Sequence, residues 1–144
     1  MRVRQALALS IDRDKLTSTV LQGTAFPAYS ITPPDTLGYY PPKLFGYNPE
    51  KAQQLMVEAG YPDGKNWPGI EIIYNTSEAH RKIAVAIQQM WSLVLNIQVT
   101  LSNQEWKVYL DSVDQMEFDI ARRGWIGDYV DPNNFLDLFI ETSC

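Results

Sequence analysis

The sequence predicts an α/β fold, a small mixed sheet covered by helices, and three observations carry that prediction. Beyond Ile70, segments with period-two apolar alternation take turns with segments of helical period. Gly, Pro, Asn and Asp fall between those segments, where turns belong. Finally, 144 residues at 45% apolar content suffice for one core, since a chain of this length buries roughly two thirds of its unfolded surface. Alternating strands and helices imply helices on the sheet faces, with right-handed crossovers between parallel neighbours. Three strands make a meagre sheet, and residues 1–144 are read as a single partial domain, cut from something longer.

Val3, Ala6, Leu7, Ser10 and Ile11 recur at three- and four-residue steps, one face of a short helix. Asp12 caps a second helical segment carrying Leu16 and Val20 and ending near Gly23. From Thr24 to Tyr47, Pro27, Pro33, Pro34, Pro41 and Pro42 exclude any regular element, because each fixes φ and removes a donor. The interleaved Tyr29, Tyr39, Tyr40 and Phe45 favour a loop pinned by its own side chains. Asn48-Pro49-Glu50 opens the next helix, with a capping side chain, a proline at the first position and an acid at the positive end of the dipole. Gly60 stops it.

Ile70, Ile72, Ile73 and Tyr74 read as a strand. Thr76 or Ser77 then caps the longest helix, about Glu78 to Leu95, whose stripe is Ile83, Ile87, Met90, Trp91 and Val94. Ile97, Val99 and Leu101 alternate with polar residues in a second strand. Asn103 is expected to cap a short helix with Trp106, Tyr109, Leu110 and Val113 on its buried face. Phe118, Ile120 and Arg122 alternate in a third strand, and a last helix opened by Asp131-Pro132 is expected to run almost to the end.

Composition excludes several functions. Twelve Lys and Arg against 17 Asp and Glu give a net charge of −5, and no basic block offers the cationic footprint a nucleic acid requires. Cys144 is alone and His80 lies far from it in sequence, so neither a disulfide framework nor a Cys/His metal site is expected, and no cofactor motif is present. No apolar run approaches the roughly 20 residues that cross a bilayer.

The richest stretch is Gly124-Trp125-Ile126-Gly127-Asp128-Tyr129-Val130-Asp131-Pro132, directly after a strand, where ligands meet open α/β sheets. One reading has Trp125 plugging the core and Asp131 capping the last helix, which leaves Asp128 with no capping duty. The alternative pairs Asp128 and Asp131 as the acid and base of a hydrolase.

Val3-Arg4-Gln5-Ala6-Leu7 with Asp12-Arg13-Asp14-Lys15-Leu16, Tyr47-Asn48-Pro49-Glu50-Lys51-Ala52, Ala59-Gly60-Tyr61, Asp119-Ile120, Gly124-Trp125 and Asp128-Tyr129 carry a family resemblance across the whole chain. The chain resembles the extracytoplasmic solute-binding proteins of peptide ABC transporters, oligopeptide-binding type. Tyr74-Asn75-Thr76-Ser77 with His80, and Asn103-Gln104-Glu105-Trp106-Lys107 with Leu110-Asp111, are more similar to oligopeptide binders than to the dipeptide or nickel branches.

The resemblance implies the central part of the second of two lobes in a periplasmic-binding-protein type II-like fold. It also implies a parent that is periplasmic, or lipid-anchored outside the cytoplasmic membrane, with an export signal upstream and chain continuing past Cys144. The implied function is capture of short peptides and their delivery to ABC permease subunits, without catalysis. The same scaffold with a dipeptide, murein peptide, glycan or metal chelate is the alternative.

Residue by residue, the resemblance places Asp128 opposite the free amino end of the peptide, Arg122 and His80 among the cations for its carboxylate, and Trp106 and Trp125 as walls of side-chain pockets. A further cation of oligopeptide binders is replaced by Val113. A partial lobe would expose apolar surface able to drive self-association.

Overall fold

The computed structural model describes residues 1–40 and 42–140. They form two compact units, the first Met1–Pro27 with Tyr47–Arg123 and the second the described residues of Ala28–Gly46 with Gly124–Cys144.

The first unit opens with α1 (Arg2–Leu9), after which the Asp12 side chain accepts from the Lys15 amide at 2.9 Å and starts α2 (Arg13–Lys15). The chain then widens into a π-helical turn, Leu16–Val20. The hydroxyls of Thr17, Ser18 and Thr19 donate to the carbonyls of Arg13, Asp14 and Lys15 at 3.0, 2.7 and 2.6 Å, competing with backbone amides for those acceptors. Asn48 caps α3 (Pro49–Glu58) through the Lys51 amide at 2.9 Å, and Gly60 ends it at φ +92°.

At the centre of the sheet, β1 (Ile70–Asn75) pairs in parallel with β2 (Val99–Gln104) on one side and β3 (Ile120–Ala121) on the other. The sheet is therefore parallel throughout, where a mixed one is expected from sequence. The reason is that both connections pass through a helix, α4 (Glu78–Leu95) and α5 (Trp106–Asp114), which returns the chain to the same end. Since β2 and β3 flank β1 on opposite sides, right-handed crossovers put α4 and α5 on opposite faces.

Burial agrees with that placement. Ile72 joins Trp91, Leu95, Val99, Leu7 and Met56 in the larger core, and its neighbour Ile73 joins Tyr109 and Val113 in the smaller one. Adjacent strand residues point to opposite faces. Trp91 is 3% exposed and its indole donates to the Leu7 carbonyl at 3.0 Å, tying α4 to α1.

Several local expectations need correction. Asn103 lies inside β2 and accepts from the Thr76 hydroxyl at 2.9 Å, while Glu105 caps α5 through the Lys107 amide at 2.9 Å. Ser77 occupies the N-cap position of α4 without a side-chain bond. The third strand is two residues long because Asp119 takes the Glu71 amide with its carboxylate, at 2.9 Å, in place of a ladder carbonyl.

In the second unit, residues 28–40 and 42–46 hold no regular element beyond a bridge between Thr36 and Tyr39. Lys43 sits 4.0 Å over the Tyr29 ring, so the loop is pinned there, but Tyr40 is 88% exposed and pins nothing. The last helix is only α6 (Asn133–Leu136), followed by a 3-10 turn, Asp137–Phe139. Cys144 lies outside the described residues.

Candidate ligand-binding site

Parallel strands gather whatever follows their carboxyl ends along one edge of a sheet. The chain leaves β1 in one direction for β2 and later returns to the other side of β1 as β3, so the strand order reverses there. Ligands of open α/β sheets bind outside the carboxyl ends at such a reversal. Three of the five candidate residues follow one strand each. His80 stands in the first turn of α4 after β1, Trp106 is the first residue of α5 after β2, and Arg122 directly follows β3.

Each has a local anchor. The Nδ1 of His80 lies 3.3 Å from the carbonyl oxygen of Asn75, the last residue of β1. The Arg122 amide donates to the Ile73 carbonyl at 2.9 Å, and its carbonyl accepts from the Tyr109 hydroxyl at 2.6 Å. The backbone of Arg122 is thus fixed by the neighbouring strand β1 and by α5, while its guanidinium makes no hydrogen bond or ion pair among the described residues. Trp106 is 55% exposed and stacks on Tyr109 with centroids 5.9 Å apart. It is not the core residue that its place in a helical stripe suggests, because Tyr109 and Val113 fill the smaller core alone on that helix.

Arg122 also borders a cavity of about 420 Å³ within the first unit, floored by apolar residues including Leu7, Ile72 and Ile87. Arg4, Arg13 and Arg123 border it too, and no carboxylate does. Arginines bordering an apolar floor favour an anionic group there, and Arg13 among them already donates to the carbonyls of Ala8 and Ile11 at 3.1 and 3.3 Å. Further along α4, Arg81 bonds Glu78 through Nε at 3.1 Å and Nη2 at 3.0 Å. That hydrogen bond, and then the charge behind it, holds the Glu78 carboxyl below the usual glutamate range.

The second unit holds the other two candidates, both on the loop after Gly124. Trp125 is 46% exposed rather than plugging a core, and its Nε1 donates to Oδ1 of Asn134 at 2.7 Å. Asp131 stands one residue before the N-cap position of α6, which Pro132 occupies, rather than capping the helix itself; its carboxylate accepts the Asn133 amide at 2.9 Å, so it is committed to a structural bond. Asp128 is exposed, and its carboxylate makes no hydrogen bond or ion pair among the described residues. Before it, Gly127 packs closely under Phe135: a Cβ there would lie 2.9 Å from Cζ of that ring, which would have to shift. No group of three or more His, Cys, Asp or Glu is arranged to hold a metal among the described residues.

The model for bacterial extracellular solute-binding proteins, family 5, middle part, matches residues 1–143. The chain belongs to that family. It is 42% identical to the periplasmic oligopeptide-binding protein OppA of Escherichia coli over 149 aligned residues, covering 99% of this chain and 27% of that protein. A crystal structure of a periplasmic oligopeptide-binding protein from Borrelia burgdorferi superimposes with a TM-score of 0.91 at 42% identity, over 96% of this chain and 28% of that one.

OppA of Haemophilus influenzae, in complex with the peptide RPPGFSPFR, superimposes with a TM-score of 0.85 at 36% identity, over 99% of this chain and 29% of that one. The chain thus spans little more than a quarter of the length of these solute-binding proteins, and its fold is the corresponding part of theirs. Asn134 is the residue the sequence pattern hides. It sits in Pro132-Asn133-Asn134, where either asparagine reads as helix-start chemistry, and only the tertiary bond to Trp125 tells them apart.

Proposed function

We propose that a full-length solute-binding protein containing these residues captures short peptides outside the cytoplasmic membrane and delivers them to the permease of an ABC transporter. In it, residues 1–144 serve as the central part of the second lobe. Asp128 takes the peptide's amino terminus, Arg122 and His80 serve its carboxylate, and Trp106 and Trp125 wall side-chain pockets.

The observation that carries this reading is the free carboxylate of Asp128, held on a loop clamped by Asn134 and Phe135. A fixed, unpartnered carboxylate suits an ammonium that becomes desolvated as two lobes close, and charge-assisted hydrogen bonds of this kind demand a free amine. Binding and release need no bond to break, and Asp131 is engaged by the Asn133 amide, so the reading contains no chemical step. Exposed Ile126, Val130 and Phe139 are the surface through which residues 1–144 alone would self-associate.

Calorimetry of the full-length protein tests the proposal. Free tripeptides should bind, and their N-acetylated forms should bind at least tenfold more weakly. Equal affinity for both would remove Asp128 from the role assigned to it.

A further inference from the structure

We propose that Asn134 is a positioning residue that locks Trp125, and so determines which peptide side chain its pocket accepts; this rests on the reading of Trp125 as a pocket wall.

An indole nitrogen only donates, so the bond from Trp125 Nε1 at 2.7 Å fixes the orientation of the Asn134 amide, with its oxygen toward the ring. Its amide nitrogen is left buried with no acceptor among the described residues, on a side chain that is 6% exposed. A buried orphan donor is a cost that an apolar residue of the same shape would not carry. What Asn134 provides in exchange is a polar tether on a ring that is 46% exposed. The next residue, Phe135, fills the space over Gly127, so two consecutive residues of α6 hold the loop on either side of Ile126. Pocket walls discriminate among side chains only when their own rotamers are locked.

Indole exchange in residues 1–144 supplies the test, read by two-dimensional 1H–15N NMR with the Trp125 signal assigned from Trp125→Phe. Trp106 is the unbonded standard, since its indole has no partner among the described residues. Trp91 and Trp67, whose indoles donate to the carbonyls of Leu7 and Gln98, report on folding of the first unit.

The Trp125 proton should exchange at least tenfold more slowly than that of Trp106. Asn134→Asp, which keeps the acceptor, should preserve that protection, and Asn134→Leu, which removes acceptor and orphan together, should abolish it with Trp91 and Trp67 unmoved. Equal exchange for Trp125 and Trp106 in the unsubstituted chain, or full protection in Asn134→Leu, would overturn the proposal. If Asn134→Leu disturbs Trp91 and Trp67, the comparison of the unsubstituted chain with Asn134→Asp decides.

In the full-length protein, Asn134→Leu should change the ranking of tripeptides differing in one side chain at least fivefold, and Asn134→Asp should not. An unchanged ranking refutes the specificity role. Failure of every peptide to bind the unsubstituted protein would refute the peptide reading, while the exchange result would still stand.

Discussion

The two units bury opposite kinds of residue. In the first, the buried side chains are mainly apolar, with Ala6, Ala52, Ile73 and Ile97 all at 1% exposure or less. In the second, the buried side chains among the described residues are Thr32, Thr36 and Asn134, all polar, and Thr32 and Asn134 each carry an atom without a partner. Large apolar residues of the second unit face outward instead, Ile126 at 90% and Phe139 at 68% exposure. Burial of apolar area is the dominant favourable term in folding. Stability is therefore concentrated in the first unit, and the second spends its few buried contacts on holding a loop in place.

That contrast breaks most visibly in the first core. Trp91→Ala removes a buried aromatic and its bond to Leu7, and should destabilise the chain by about 3 to 5 kcal/mol in denaturant titration. Next comes the junction of α3 and α4. Gly64 has φ +70°, and a Cβ on it would collide with the Asn96 carbonyl oxygen, so Gly64→Ala should cost about 1 to 3 kcal/mol. The smallest effect belongs to the second unit. Ile126→Ser should change stability by less than about 0.5 kcal/mol, as ordinary surface substitutions do. A loss there approaching that of Trp91→Ala would show that the second unit has a core of its own.

What the sequence revealed follows the same division. Caps are local, so Asp12 and Asn48 were legible from their neighbours alone, while Asp131 falls one residue before the cap position it was expected to fill. The strand at Ile70 and the long helix after it carry periodicities that tertiary contacts merely realise. Asn103 misled because capping residues also serve in strands when a partner such as the Thr76 hydroxyl lies across the sheet. Trp106 and Trp125 misled because large aromatics default to the core, whereas one here stacks on a helix surface and the other is tethered by a buried amide. The gathering of His80, Trp106 and Arg122 at one edge was invisible in sequence, since it depends on strand direction. A parallel sheet aligns those ends, and a mixed sheet does not.

A thermodynamic cycle isolates the attraction proposed between Asp128 and a peptide amine. Tripeptides with free and acetylated amino ends are titrated into the full-length protein and its Asp128→Asn variant. A coupling of about 1.5 kcal/mol or more between carboxylate and amine is predicted, within the range of close interfacial charge pairs. Additive losses, with a coupling indistinguishable from zero, would contradict it.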